Sequence, residues 1–232
     1  MRILGLIPAR GGSKGIPNKN RKELGGKPLL QYTAEAALKA RTLDRVIFSS
    51  EDETLRALAR SLGVEVPFER PAHLAEDHSG SLAVVQHALH TLAEQGEHYD
   101  AVCLLQVTTP FRTASDIDRA IEKFKNDKVD TLLSVQKVPH QYNPHWVFTP
   151  SEAGQLQIAT GDTTIIKRRQ ELPDAYVRDG ALYITKTRVI LEQDSLYGSR
   201  MGWIELDPER HVNIDTPEDW AKAEQLYKKL YF

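Results

Sequence analysis

The stretch RILGLIPARGGSKG, residues 2–15, decides the fold of this chain. Its first part, residues 2–9, is a short apolar run that is typical of a buried strand. The run passes directly into a loop rich in glycine and basic residues, ARGGSKGIPNKN at residues 9–20. Ligands of open α/β sheets bind outside the carboxyl ends of the strands. The opening stretch therefore predicts an α/β fold with a ligand at the end of its first strand.

The rest of the chain alternates apolar strands with amphipathic helices. Strand patterns occur at residues 44–50, 64–68, 100–107, 131–138, 180–185 and 202–206, and helical patterns at residues 27–40, 51–63, 79–95 and after residue 216. We expect Ser115 and Asp118 to form the capping box of the helix that follows the fourth strand. Strands that alternate with helices predict right-handed βαβ units and an α/β sheet.

The alternation breaks between residues 139 and 176. This stretch is rich in Pro, Gln, Gly and Thr and has little helical periodicity, so we predict an insertion there. Its apolar side chains, among them Tyr142, Trp146 and Phe148, would form an unusually large exposed patch on a monomer. Because no linker or repeat is found, residues 1–232 are expected to form a single domain that carries this insertion.

Composition limits the classes of partner. Of the 232 residues 27% are charged, yet the formal net charge is −2, so no strong field attracts nucleic acid or a membrane. No run approaches the about 20 apolar residues of a membrane span. The single cysteine, Cys103, excludes an internal disulfide and lies in an apolar run, where we expect a buried thiol. We expect a cytoplasmic protein without nucleic-acid or membrane partners.

The first loop has the composition of a phosphate-binding loop. Glycine lets the backbone approach an anion closely, and successive N–H groups can surround phosphate oxygens. Arg10, Lys14 and Lys19 add positive charge. The spacing matches neither a Walker loop nor G-x-G-x-x-G. The position after the first strand favours phosphate binding over the alternative, a mobile surface turn.

Six sequence blocks occur in the order that is typical of one enzyme family. They are IPARGGSKGIPNKN (7–20), RPAHLAED (70–77), LLQVTTPFR (104–112), RRQELP (168–173), GALYI (180–184) and NIDTPEDW (213–220). Together they resemble the acylneuraminate cytidylyltransferases, also called CMP-sialic acid synthetases. Ordered blocks that span most of the chain are far more specific than any one of them.

The resemblance implies a fold and a reaction. The fold would be a Rossmann-like, three-layer α/β domain with a mostly parallel sheet, of the nucleotide-diphospho-sugar transferase type. The insertion would exchange with a second subunit to build a homodimer. The reaction would be transfer of CMP from CTP to the anomeric hydroxyl of a nine-carbon acidic sugar of the sialic, legionaminic or pseudaminic type. Mg²⁺ would be the cofactor, and pyrophosphate would leave.

The resemblance also implies which residues bind the nucleotide. The first loop would hold the triphosphate, a following Lys-Asn pair would lie near the phosphates and ribose, and two residues of a later block would recognise the cytidine. These residues are Arg10, Gly11, Gly12, Ser13, Lys14, Lys19, Asn20, Arg70 and Ser81.

The sugar and metal would be bound by residues from the later blocks. Gln106 and Tyr183 would contact the sugar, and Arg169 would pair with its carboxylate through two charge-assisted hydrogen bonds. Asp215 would bind Mg²⁺ together with Asn213, since this ion prefers oxygen ligands. Of all these residues, the resemblance implies catalytic roles for Arg10, Lys19, Gln106 and Asp215.

The sequence departs from the family pattern in two places. Members commonly carry Asp-Ile-Asp-Thr where this chain has Asn213 in the first position, so the metal site has one negative charge less. Some members place a lysine after a His-Pro pair, whereas this chain reads Asn-Pro-His-Trp at residues 143–146. The second difference argues for a sugar other than N-acetylneuraminate.

Two alternatives remain open at this stage. One is a cytidylyltransferase for another sugar, such as the eight-carbon Kdo. The other is a nucleotide-sugar-binding protein without catalytic activity, an alternative that the asparagine at position 213 motivates.

Overall fold

The computed structural model describes residues 1–232. The strands are β1 (Ile3–Pro8), β2 (Glu23–Leu24), β3 (Lys27–Pro28), β4 (Arg45–Ser49), β5 (Ala101–Leu104), β6 (Thr131–Lys137), β7 (Phe148–Pro150), β8 (Leu156–Ile158), β9 (Tyr176–Lys186) and β10 (Met201–Glu205). The α-helices are α1 (Leu29–Lys39), α2 (Glu53–Ser61), α3 (Ser81–Glu94), α4 (Ala114–Asp127), α5 (Thr187–Glu192) and α6 (Pro217–Tyr231). These bounds confirm the predicted alternation of strands and helices.

The central sheet has six strands in the order β10-β6-β9-β5-β1-β4. Strand β1 pairs in parallel with β4 and with β5, so that Leu6 lies opposite Ile47 on one side and Leu104 on the other. Strand β9 runs antiparallel to β5. Because β1, β4 and β5 are parallel, the loops that follow them meet at one edge of the sheet.

Alternate residues of β1 pack into different clusters, and this alternation produces the three layers. Ile3 and Ile7 belong to a core cluster with residues of α1, α2, α4 and α6. Leu4 and Leu6 belong to a second cluster with residues of α3 and α5. Successive side chains of a strand point to opposite faces, so the sheet separates the two clusters. The predicted three-layer α/β fold is confirmed.

The thiol of Cys103 lies in this core, as expected from its apolar surroundings. The side chain is buried on β5, and burial raises the pKa of Cys103 to about 12. A thiol in this environment stays protonated and unreactive at neutral pH.

Two local predictions were wrong. Helix α4 is capped by Thr113 with Asp116, two residues earlier than the predicted pair of Ser115 and Asp118. The Asp118 carboxylate is instead used in a tertiary contact, where it accepts hydrogen bonds from the N–H groups of Arg41 and Thr42 at 2.8 and 3.0 Å. The predicted strand at residues 64–68 is only an isolated bridge to β4.

A second compact unit, Val135–Arg178, contains the predicted insertion. It holds the antiparallel hairpin of β7 and β8 and three short 3₁₀ helices. Inside this unit, Trp146 Nε1 donates to the Ile166 carbonyl at 2.7 Å, and Asn143 Nδ2 donates to the Pro173 carbonyl at 2.8 Å. Side-chain to backbone bonds of this kind give shape to a segment with little regular structure.

None of the helices is long and apolar enough to cross a membrane.

Candidate active site

A cavity of about 420 Å³ opens where β1 and β5 end. Its lining brings together ten of the residues predicted from sequence, although they lie up to 205 positions apart in the chain, from residue 10 to residue 215. They are Arg10, Ser13, Lys14, Lys19, Asn20, Arg70, Ser81, Gln106, Asn213 and Asp215.

Two side chains fix the shape of the loop after β1. Asn20 is buried, and its Nδ2 donates to the Arg10 carbonyl at 2.9 Å, which closes the loop on itself. Lys19 Nζ donates to the Ile214 carbonyl at 2.6 Å and to Asp215 Oδ1 at 3.1 Å. The loop is thereby tied to the segment that precedes α6.

Gly11 has a different role from the one expected. Its N–H does not face a ligand but donates to Glu51 Oε1 at 2.8 Å. A Cβ on Gly11 would collide with the carboxylate of Asp52, whereas a Cβ on Gly12 would meet nothing within 4 Å. Neither glycine is among the residues that line the cavity. Gly11 is therefore required for the close approach of the loop to the segment after β4.

The two outer cations of the loop share one carboxylate. Asp77 Oδ1 accepts from Arg10 Nη1 at 2.8 Å, and Asp77 Oδ2 lies 2.5 Å from Lys14 Nζ. Hydrogen bonds from Lys14 and Arg10 hold the pKa of Asp77 below its usual value. Because the Asp77 side chain is 50% exposed, water screens both pairs and makes them weak. An anion that binds Arg10 and Lys14 competes with this carboxylate.

Arg70 lies deeper in the cavity wall, and only 4% of its side chain is exposed. Its Nη2 donates to the Ala9 carbonyl at 2.8 Å and to Glu51 Oε2 at 2.6 Å. Ser81, the first residue of α3, lines the cavity as well. Both residues predicted to recognise cytidine thus lie at the cavity.

Gln106 follows β5 and lines the cavity, and the turn that carries it is held by a buried cation. Arg112 Nη2 donates to the Gln106 carbonyl, and Arg112 Nη1 donates to Thr33 Oγ1 at 3.0 Å. Burial lowers the pKa of Arg112 to about 10, so the guanidinium is still charged at neutral pH. Gly180 of β9 lies near the Gln106 side chain and has a φ of +79°, a conformation that favours glycine.

The two predicted metal ligands are in mutual contact. Asn213 Nδ2 donates to Asp215 Oδ2 at 2.8 Å, and both residues line the cavity. The Asp215 side chain is 62% exposed. One carboxylate and one amide oxygen suit Mg²⁺ when substrate phosphates and water complete its six ligands. The donor set therefore fits a metal that is bound together with a nucleotide.

Two further predicted residues are not among those that line the cavity. Tyr183 is buried in the core between β5 and the helices α3 and α5, and it is not among the lining residues of the cavity. Its place follows from the alternation along β9, because its neighbours Leu182 and Ile184 belong to the core cluster on the other face of the sheet. Arg169 begins a short 3₁₀ helix in the second compact unit, where it is exposed.

The model of one protein family, cytidylyltransferase, matches residues 4–232. The chain belongs to the cytidylyltransferase family. The match covers the loop after β1, the cavity and the insertion together.

Similar proteins narrow the branch of this family. The chain is 35% identical to the pseudaminic acid cytidylyltransferase of Campylobacter jejuni over 228 residues. These residues cover 98% of this chain and 97% of that protein. The chain is 33% identical to the CMP-N,N'-diacetyllegionaminic acid synthase of Legionella pneumophila, over 97% of this chain and 96% of the relative. The resemblance inferred from the six sequence blocks is confirmed.

A solved structure shows that the fold is shared more widely. The structure of CMP:2-keto-3-deoxy-manno-octonic acid synthetase in complex with CTP superposes with a TM-score of 0.74 over 99% of this chain and 100% of the other. Sequence identity is 16%, so this likeness concerns the fold alone.

Three charged residues whose contacts shape the cytidylyltransferase site were not predicted: Glu51, Asp77 and Arg112. Asp77 and Arg112 stand at the ends of two blocks that carried the resemblance, RPAHLAED and LLQVTTPFR, so their blocks were recognised without a role for them. Glu51 gave only the weak signal of an acidic residue shortly after a strand. Each contacts a partner at least six positions away, which a local pattern does not reveal.

We predict that Asp77→Asn tightens CTP binding by about two- to tenfold, because it removes the carboxylate that competes for Arg10 and Lys14. Calorimetric titration with CTP measures the change. Glu76→Gln is the matched control, since Glu76 also lines the cavity but its carboxylate lies 3.5 Å from His78. Equal effects of the two variants would show that overall charge, not competition at Arg10 and Lys14, is responsible.

Proposed function

We propose that this cytidylyltransferase transfers CMP from CTP to the anomeric hydroxyl of a nine-carbon acidic sugar and releases pyrophosphate. The observation that carries the proposal is the convergence of three cations of one loop, Arg70, Gln106 and Asp215 on a single cavity of about 420 Å³. Relatives at 33–35% identity are named for pseudaminic and legionaminic acids, which supports this class of sugar.

The nucleotide half of the reaction follows from the charges of the cavity. Arg10, Lys14 and Lys19 would neutralise the triphosphate, and Arg70 would hold the cytidine. The sugar hydroxyl oxygen forms a bond to the α-phosphorus, and the bond from the α-phosphorus to the bridging oxygen breaks. Pyrophosphate leaves with the electron pair of that bond, and the hydroxyl proton passes to solvent. The protein contributes positioning and charge neutralisation.

The sugar half would use Gln106 and Arg169. Gln106 supplies an amide that can donate and accept hydrogen bonds to sugar hydroxyls at the cavity wall. Arg169 supplies a planar guanidinium that matches a carboxylate. An arginine in this role requires an acidic sugar and discriminates against neutral ones.

The proposed function is tested by pyrophosphate release with CTP and a panel of sugars. We expect release with a pseudaminic or legionaminic acid, at a kcat/KM at least about tenfold above those for N-acetylneuraminic acid and Kdo. Equal or faster reaction with Kdo would replace the proposed substrate by an eight-carbon sugar. No release with any acidic sugar, although CTP binds, would favour the alternative of a binding protein without activity.

A matched pair of variants tests the role of Arg169 in the same assay. Arg169→Met should raise the KM for the sugar by about 10- to 100-fold and leave the KM for CTP unchanged. Arg168→Met is the control, because Arg168 is the adjacent arginine and lies 3.6 Å from Glu171. If both variants behave alike, Arg169 does not bind the sugar carboxylate.

We propose Mg²⁺ as the cofactor, held by Asp215 and Asn213 with the CTP phosphates. When bound, the ion would offset negative charge on the phosphates. Lys19 Nζ lies 3.1 Å from Asp215 Oδ1. Lys19 would therefore also orient the Asp215 carboxylate toward the ion.

Replacing Asp215 by Asn should lower kcat by roughly 100-fold or more, because no carboxylate would remain in the 213–215 segment. Asn213→Asp should be active and reach its half-maximal rate at a lower Mg²⁺ concentration, since it adds a negative charge beside the metal. Rates measured against Mg²⁺ concentration for both variants check this. Normal turnover and normal Mg²⁺ dependence of Asp215→Asn would place the metal elsewhere.

We further propose that the protein forms a homodimer through the second compact unit. This unit exposes large apolar side chains, with Leu156 at 72%, Tyr142 at 66% and Val177 at 51%. Apolar side chains at this density are typical of a subunit interface. Sedimentation velocity at micromolar concentration should show a dimer, and Leu156→Glu with Tyr142→Glu should weaken it. A monomeric wild-type protein would contradict the proposal.

The cytoplasmic location stays a prediction from sequence.

A further inference from the structure

Glu51 connects two parts of the cavity wall without lining the cavity itself. It follows β4 and Ser50, and 20% of its side chain is exposed. Its two carboxylate oxygens bond to different segments. Oε1 accepts from the N–H of Gly11 in the loop after β1, at 2.8 Å, and Oε2 accepts from Arg70 Nη2 at 2.6 Å.

The guanidinium of Arg70 depends on this carboxylate for its orientation. Its hydrogen bonds run through Nη2, to Glu51 and to the Ala9 carbonyl. Arg70 Nε is buried without a hydrogen-bond partner. Without the Glu51 carboxylate, this buried charge would keep only the Ala9 carbonyl as a partner, which is unfavourable.

The two acidic neighbours of Glu51 have other tasks. Asp52 caps α2, where its side chain accepts from the Leu55 N–H at 2.8 Å. Glu53 is ion-paired on the protein surface with Arg56 and Arg60. Of these three consecutive acidic residues, Glu51 alone bonds to residues that neighbour or line the cavity.

The charge on Glu51 is maintained in spite of its partial burial. Burial by itself would raise the pKa of Glu51, but hydrogen bonds from Arg70 and from the Gly11 N–H outweigh it and hold the pKa below the usual value. The carboxylate is therefore ionised at neutral pH, and both of its bonds are charge-assisted and strong.

We infer that Glu51 is a positioning residue for CTP: it locks the phosphate-binding loop and the Arg70 guanidinium into one arrangement before the nucleotide binds. The inference rests on the proposed binding of the CTP phosphates by this loop and of cytidine by Arg70. CTP spans both segments, so a rigid link between them removes part of the ordering cost of binding. The sugar does not depend on this link.

The test compares the wild-type protein with Glu51→Gln, Glu51→Asp and the control Glu53→Gln. The control removes the same charge two residues away, from a side chain that is 65% exposed. Calorimetric titration with CTP, without sugar, gives the dissociation constant. Steady-state rates give kcat and the KM values for CTP and for the sugar separately. Thermal unfolding shows whether each variant is folded.

Glu51→Gln should weaken CTP binding by about 10- to 100-fold, with kcat at saturating CTP and the sugar KM within about threefold of wild type. Glu51→Asp keeps the negative charge beside Arg70, so the variant should fold. Its side chain is one methylene shorter and cannot reach both Gly11 and Arg70. It should therefore also weaken CTP binding, whereas Glu53→Gln should not.

Two results would overturn the inference. One is a CTP dissociation constant within twofold of wild type in both Glu51 variants. The other is a fall in kcat together with a rise of similar size in the KM values for CTP and for the sugar, which would indicate general damage to the fold. Either result is separate from failure of the proposed function, because that failure would already appear as absence of CMP transfer by the wild-type protein.

Discussion

Compensation of positive charge around one cavity is the constraint on which the rest of the structure depends. Four cations line the cavity, and each is paired with a carboxylate from another segment: Arg10 and Lys14 with Asp77, Lys19 with Asp215, and Arg70 with Glu51. Each carboxylate offsets part of the repulsion between these neighbouring cations. The gathering of four cations at one cavity explains how a chain with net charge −2 can hold a polyanion.

The pairs differ in burial, and burial decides which of them a ligand can exchange. The Asp77 pairs are half exposed and screened by water, so a triphosphate can replace them at small cost. The pair of Arg70 and Glu51 is mostly buried, with 4% and 20% of the side chains exposed. Breaking a buried pair leaves an uncompensated charge, which is expensive. The site thus combines exchangeable contacts at its mouth with permanent ones in its wall.

The parallel strands bring these pairs together, and they account for the shared fold without specifying the reaction. Strands β1, β4 and β5 end at one edge, which places the loop after β1, the Glu51 segment and Gln106 side by side. The same architecture occurs in the solved structure of CMP:2-keto-3-deoxy-manno-octonic acid synthetase, at 16% identity. This likeness concerns the fold alone, because function depends on the side chains of a site and not on the sheet that carries them.

The sequence by itself determined the α/β class, the loop after β1 and ten of the residues that line the cavity, because periodicity and ordered blocks are local properties of the chain. It did not determine the roles of Glu51, Gly11 and Asp77, since their partners lie 19 to 67 positions away. It also placed the α4 capping box two residues late, because two equivalent patterns overlap and Asp118 is used instead in a contact with the segment after α1. Tyr183 was predicted at the sugar but lies in the core, because the register of β9 against β5 sets the face on which its side chain packs. Register and charge pairing are properties of the folded chain, so only the tertiary structure decided them.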